Sequence, residues 1–253
     1  MIATAVFLLT AHLAAGTLIV TSLLLLRNRL PHAFLRFCLA YSAVSAAIAW
    51  KLGHGPSSLA YGLLAVAAAL VYGWLRGKKS EPSFLLTLTG VIALAALGLE
   101  CSGSESAGWV LCSLGAVGSS LLLGSVAVSM VLGHWYLVDT SLSIAPFKDG
   151  ALLFAAAVVW RWLSVLVVLA REGWDVVRVT NPADVFYSTL GLFFLFRAIT
   201  GLIAPLLLAG PILQTVRMRS TQSATGLLYV AMVVVLFGEL IAQFLTSATG
   251  FPL

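Results

Sequence analysis

Eight apolar segments dominate the chain, and each is close to the roughly 20 residues that a helix needs to cross the hydrocarbon of a bilayer. Of its 253 residues, 61% are hydrophobic and 9% charged, and the mean hydropathy is +1.07. Soluble domains carry about a quarter charged residues. The sequence therefore predicts an all-α polytopic integral membrane bundle in contact with the lipid bilayer. The predicted spans are residues 3–26, 34–50, 57–75, 83–100, 108–138, 151–170, 185–209 and 226–247.

The connections between these spans are short and contain proline, glycine or serine, as turns do. Even the longest, REGWDVVRVTNPAD at 171–184, is too short to form a domain. We therefore expect residues 1–253 to form a single transmembrane domain without a soluble domain. Any chemistry then takes place inside the bilayer, at its surface or on another subunit. Spans one to four and five to eight would suit two four-helix halves.

The basic residues predict the orientation of the spans. The first span lacks the positive segment that precedes a cleaved signal peptide, and its arginines follow it instead. With an N-terminus outside, nine basic loop residues lie inside and three outside, in agreement with the preference of lysine and arginine for the cytoplasm. This predicts a multi-pass protein of a cell inner membrane with both termini outside the cytoplasm. The net charge of +5 then needs no nucleic-acid partner.

Small residues recur at four-residue spacing in the fifth span, which predicts a central helix that its neighbours approach closely. The three cysteines form no CxxC pair, so neither a metal site nor a redox dithiol is predicted. Cys101 and Cys112 fall toward the same membrane side, where they form a disulfide or serve as small apolar residues. Ser223 or Thr225 is expected to cap the eighth helix.

Ionisable side chains fall inside three spans, where each charge costs about 2.5–3.5 kcal/mol. Counting about 1.5 Å per residue along antiparallel helices places Arg197 and Glu239 within reach of an ion pair. Arg161 would join or compete for the same carboxylate, and Gln243 extends the Glu239 face. Two arginines with one glutamate leave an excess positive charge. The cluster is either a structural ion pair or part of an ion or proton route.

A second polar group is predicted at the cytoplasmic surface, where the fifth span ends and residues 214–226 connect spans seven and eight. Aromatic rings beside a histidine and hydrogen-bond donors, at the depth of a quinone headgroup, are typical of a quinone pocket. The alternative is an aromatic belt with arginines that touch lipid phosphates. The candidate residues are His134, Trp135, Tyr136, Asp139, Gln214, Arg217, Arg219 and Gln222.

The residue motifs that several other kinds of chemistry require are missing from the sequence. The sequence contains no GxxxxGK[ST], HExxH, GxSxG or strand-linked GxGxxG motif, and no lysine falls inside a predicted span to form a retinal Schiff base. No catalytic residue is therefore predicted. Haem between helices usually needs paired axial ligands at matching depth. His12 and His134 are the candidate ligands, but they fall at different depths, so quinone is the better candidate cofactor.

The helix count and the intramembrane charges are similar to those of NrfD-like anchors of bacterial respiratory complexes. The stretch GELIAQFL at 238–245 resembles a piece of the related dimethyl-sulfoxide-reductase anchor family. The resemblance covers eight residues and transfers no functional residue. It implies a membrane subunit of a respiratory or photosynthetic electron-transfer complex that anchors redox partners. The alternatives are a small-molecule, ion or proton transporter that uses Arg161, Arg197 and Glu239, and a structural membrane scaffold.

Overall fold

A computed structural model describes residues 1–77, 83–102, 108–138, 142–177 and 185–253. In these residues the protein is all-helical without strands, and eight helical segments are long and apolar enough to cross a membrane, as predicted. The seventh span consists of α7, a π-helical segment and α8. The helices are α1 (Ile2–Arg27), α2 (His32–Leu52), α3 (Pro56–Gly77), α4 (Ser83–Cys101), α5 (Gly108–Val138), α6 (Ala145–Glu172), α7 (Thr189–Ala198), α8 (Ala204–Arg217) and α9 (Thr221–Thr249).

The ends of several helices differ from the predicted spans, because capping and turn residues as well as apolar ones decide where a helix begins and ends. Helix α6 begins six residues early, with Pro146 in its first turn, where a missing backbone N–H costs little. Helix α7 begins later than predicted because the Ser188 side chain accepts a hydrogen bond from the Gly191 amide, at 2.8 Å. The predicted cap of the last helix is wrong. Helix α9 begins at Thr221, and the Thr225 hydroxyl donates to the Thr221 carbonyl inside it.

The helices form two groups of four spans that meet along α1 and α5. In the first group, α1 packs on α2 and α4, and α3 closes the ring between them. In the second, α5 packs on α6 and α9, and α8 closes the ring. Helices α1 and α5 also pack on each other, so they are the most buried spans. This arrangement confirms the two four-helix halves and places the fifth span at the centre.

Small residues set the distance between the two central helices. A Cβ placed on Gly124 would lie 2.2 Å from the Gly16 carbonyl carbon and 2.7 Å from its Cα, closer than non-bonded atoms approach a Cβ. A Cβ on Gly16 would overlap the backbone of Ser120. The two helices therefore touch backbone to backbone at this crossing, as the small residues of the fifth span predict.

A π-helical segment, Ile199–Ile203, interrupts the seventh span after Ala198, two residues beyond Arg197. Pro205, in the first turn of α8, lacks the N–H that would continue the α-helical ladder, and local π geometry is one way to accommodate it. The segment brings Gly201 against Gly238 of α9 with no room for a Cβ at either position. The seventh and last spans are therefore close where Arg197 points inward.

The short connections place the helix ends on two faces. We call the face with the start of α1 and the end of α9 the terminal face. The opposite one is the basic face, because Arg27, Arg36, Arg76 and Arg217 lie at its helix ends. On the terminal face a disulfide joins Cys101 of α4 to Cys112 of α5, the first of the two alternatives that the sequence leaves open, and Cys38 is a free, buried cysteine.

Candidate functional site

Three ionisable side chains from α6, α7 and α9 meet in the second four-helix group. Arg161 Nε and Arg197 Nη2 each donate to the same Glu239 oxygen, Oε1, at 3.0 Å. All three side chains are at most 1% exposed. Glu239 lies ten residues from the end of α9, about 15 Å along the helix and near mid-depth of a bilayer core about 30 Å thick. Arg161 thus joins the Arg197–Glu239 pair instead of competing for it.

The two arginines differ in how completely their donors are bonded. Arg161 Nη2 also donates to the Leu253 carbonyl at 2.6 Å. Leu253 reaches it because Gly250, with φ of 81°, turns the chain back after α9. Within the described residues, Arg197 Nε and Nη1 have no hydrogen-bond partner, and Nη1 packs against Gly201. Arg197 is therefore held chiefly by the Glu239 carboxylate.

A second set of polar side chains surrounds His12 of α1. Its Nε2 lies 3.0 Å from Glu100 Oε1, and its Nδ1 lies 3.0 Å from Gln243 Nε2. Tyr61 donates to the other Glu100 oxygen at 2.8 Å, and the Gln243 amide also donates to Ser119 at 3.2 Å. Five helices thus supply one hydrogen-bonded chain. His12 is 3% exposed, whereas the Glu100 side chain is 10% exposed and lies at the terminal face.

The partners of His12 allow it to hold one proton or two. With the Gln243 amide nitrogen facing Nδ1, that ring nitrogen accepts, and the neutral imidazole carries its proton on Nε2 and donates to Glu100. If Nδ1 gains a proton, a rotation of the Gln243 amide by half a turn would place its oxygen there as an acceptor. The Ser119 hydroxyl accepts from the amide nitrogen or donates to the amide oxygen, whichever of the two faces it. Both protonation states therefore keep their hydrogen bonds.

A small cavity lies between the histidine chain and the arginine cluster. Its volume is about 20 Å³, and it is lined by His12, Glu100, Ser119, Arg161 and Gln243 among others. A water molecule needs about 10–15 Å³ and two to four polar partners. The cavity thus has room for about one water in contact with both clusters. Glu100 lines the same cavity as Arg161, so a second carboxylate lies in the neighbourhood of the two arginines, although its own partners are His12 and Tyr61.

Sequence reasoning missed Glu100, Tyr61 and Ser119. Glu100 is the last residue of the predicted span 83–100, where it resembles a surface residue that ends a helix. The signal was present, because this carboxylate is the only ionisable residue in that apolar segment. Ser119 was hidden among the small residues of the fifth span, and a lone tyrosine in a span indicates no partner. Their convergence depends on which helices are neighbours.

The predicted quinone-pocket residues do not form one pocket. His134 is exposed on α5, with Nδ1 3.4 Å from the Tyr229 hydroxyl, and Trp135 packs edge-on against Phe34. Buried Tyr136 points elsewhere and donates to the Ser143 carbonyl. Arg219 and Tyr136 line a separate recess, Asp139 lies outside the described residues, and Gln214, Arg217 and Gln222 are exposed.

An apolar groove begins one helical turn from His134. It has a volume of about 90 Å³ and lies between α1, α2, α5 and α9, where Phe37, Tyr41, Met130 and Met232 line it. The rings of Phe37 and Tyr41 stack with centroids 6.4 Å apart. His134 and His12, the two candidate haem ligands, are not brought together, and both ring nitrogens of His12 have protein partners.

The fold and the buried charges define a multi-span α-helical membrane protein with an ionisable network inside the bundle. Searches against protein-family models, curated proteins and solved structures give no match to this chain.

Proposed function

We propose that this protein handles protons, and that His12 and Glu100 exchange them between the terminal face and the small cavity beside the buried Arg161. The observation that carries the proposal is the unbroken hydrogen-bonded chain from partly exposed Glu100 through His12 to Gln243 and Ser119. Histidine is the side chain whose ordinary titration range lies nearest neutral pH. Ionisable groups inside membrane spans often belong to functional sites, proton relays and ion pathways among them.

The position of the network supports a route that opens toward the terminal face. Glu100 is the most exposed member of the network, and His12 lies ten residues into α1, about 15 Å along the helix from its start. One water in the cavity would take up or return the His12 proton, while Arg161, which keeps its own protons, and its partner Glu239 fix the charge on the inner side of the cavity. Toward the basic face, the backbone contact of Gly16 with α5 leaves no space for water along this line. The route thus loads His12 from the terminal face, and release toward the basic face requires α1 and α5 to separate, as in an alternating-access transporter.

Replacing His12 by glutamine is expected to lower proton flux at least tenfold, because glutamine keeps hydrogen bonds but cannot take up a proton. The assay uses the full chain in sealed vesicles that contain a pH-sensitive dye, with a potassium gradient and valinomycin to impose the potential. His54→Gln is the matched control, since His54 is exposed in a turn at the terminal face. Wild-type flux equal to that of protein-free vesicles, or unchanged flux in His12→Gln, would contradict the proposal.

A second candidate function is that of an electron-transfer subunit in a bacterial inner membrane that binds quinone beside His134 and contacts redox partner subunits. The favouring observation is the His134–Tyr229 contact, which lies about one helical turn along α5 and α9 from the groove-lining residues Val131 and Met232. A quinone ring there would have a histidine and a hydroxyl for its oxygens and methionine and aromatic side chains for its ring and tail.

The quinone candidate predicts that His134→Ala weakens binding of a short-chain quinone about tenfold, the cost of one lost hydrogen bond of about 1.4 kcal/mol. Binding would be followed by quenching of tryptophan fluorescence, because Trp135 is the next residue to His134 in α5. Tyr187→Phe, at a tyrosine that is 89% exposed near the other face, is the control. Equal affinity of the His134→Ala variant and the wild type would rule this site out. Copurification of cytochrome or iron–sulfur subunits would favour this candidate over the transporter.

A further inference from the structure

A groove with leucine walls lies between the basic-face ends of α1 and α6. Its volume is about 230 Å³. Leu23, Leu26 and Leu152 are 39%, 63% and 54% exposed, so the walls face the lipid. One end of the groove carries two opposite charges, Arg27 and Asp149. The groove is therefore apolar along its length and zwitterionic where it meets the membrane surface.

The acidic side chain is fixed in position. The Asn28 amide donates to Asp149 Oδ2 at 2.8 Å and to the Leu24 carbonyl at 3.2 Å, which ties the carboxylate to the end of α1. Asp149 is half-buried, and its other oxygen, Oδ1, has no protein donor among the described residues. The carboxylate therefore keeps an acceptor free for a ligand at the groove.

The basic side chain is exposed beside it. Arg27 is the last residue of α1, at the depth where phospholipid phosphates lie. In the described part of the chain no ion pair joins Arg27 to Asp149. The groove therefore presents one positive and one negative side chain that do not pair with each other. A zwitterionic ligand, with one charge of each sign, would complement both.

We propose that this groove binds a phospholipid with an ethanolamine headgroup. Its phosphate would contact Arg27, its ammonium would donate to Asp149, and an acyl chain would lie along the leucines. A choline headgroup carries the same charges but has no N–H to donate to the carboxylate. A glycerol headgroup would place its phosphate at Arg27 in the same way but offers Asp149 only neutral hydroxyls, so the carboxylate would lack a cationic partner. The site is independent of the proton route at the terminal face.

The test measures lipid bound to the purified full chain in detergent by native mass spectrometry. Phosphatidylethanolamine, phosphatidylcholine and phosphatidylglycerol with identical acyl chains are added separately. We expect phosphatidylethanolamine to be retained about tenfold more strongly than the other two, as expected for one charge-assisted hydrogen bond. Asp149→Asn, which still accepts from Asn28, should bring retention down to the phosphatidylcholine level.

Variants of Arg27 and Arg29 distinguish a specific lipid site from general attraction of lipid to a positively charged surface. Arg27→Gln should lower the retention of phosphatidylethanolamine about tenfold, whereas Arg27→Lys, which keeps the positive charge, should bind the lipid as the wild type does. Arg29→Gln should leave lipid retention unchanged, since Arg29 is exposed but does not line the groove. Wild-type unfolding temperatures in these variants would show that the fold is intact. Equal effects of Arg27→Gln and Arg29→Gln, equal retention of the three lipids, or no effect of Asp149→Asn would overturn the proposal.

Discussion

Replacing Glu239 by glutamine is expected to remove most of the folded protein. Arg161 and Arg197 both donate to Glu239 Oε1 and are at most 1% exposed, so the substitution leaves two buried cations without their shared carboxylate. Breaking a buried pair in this way costs about 3–5 kcal/mol, and whole domains are stable by only about 5–15 kcal/mol. The measurements are the yield of monodisperse protein and its unfolding temperature in detergent.

A surface pair supplies the control for this prediction. Glu172 lies 3.5 Å from Arg171, with side chains 31% and 66% exposed, so Glu172→Gln should cost no more than about 1 kcal/mol. Removing a cation together with the anion should restore part of the loss, because Arg161 keeps its bond to Leu253. The double variant Arg197→Gln with Glu239→Gln is therefore expected to exceed Glu239→Gln in yield. Strictly additive losses would argue against direct coupling.

Replacing Gly124 by alanine is expected to destabilise the bundle, although alanine is the better helix former by about 1 kcal/mol. The new Cβ would fall within 2.7 Å of the Gly16 Cα, which is backbone and cannot rotate away. Helices α1 and α5 would have to separate along the contact that joins the two four-helix groups. Overpacking of this kind costs about 1–3 kcal/mol and sometimes more. The unfolding temperature in detergent should therefore fall.

The matched control is Gly73→Ala in α3, where a Cβ would meet nothing within 4 Å. Helix propensity alone should then leave stability unchanged or raise it. The sign of the effect thus separates steric contact from propensity. Adding Gly16→Ala to Gly124→Ala should cost less than the sum of the single effects, since either one already separates the helices. A Gly124→Ala variant as stable as Gly73→Ala would contradict the backbone contact.

The sequence was sufficient for part of the buried site. Residue counts along antiparallel helices predicted that Arg197 reaches Glu239, because helical rise is nearly constant and the spans are registered by the bilayer. Glu100 could not be assigned in the same way. It lies at the end of α4, and only the packing of α1 against α4 brings it to 3.0 Å from His12.

For the predicted quinone pocket, the sequence grouped residues that the structure places apart. His134, Trp135 and Tyr136 are consecutive, yet successive residues of a helix point about 100° apart, so their side chains reach different surroundings. His134 meets Tyr229, Trp135 meets Phe34, and Tyr136 meets the residues before α6. Nearness in sequence therefore overestimated nearness in space.

The sequence by itself determined that this chain crosses a membrane eight times as helices, because in hydrocarbon every backbone polar group must be bonded within its own segment. Length and apolar composition suffice for that result. Only the tertiary structure decided which buried polar groups are partners. A polar side chain inside a span must find its partner on another helix, and the rotation and neighbours of each helix arise from packing of the whole bundle, as at Gly16 and Gly124.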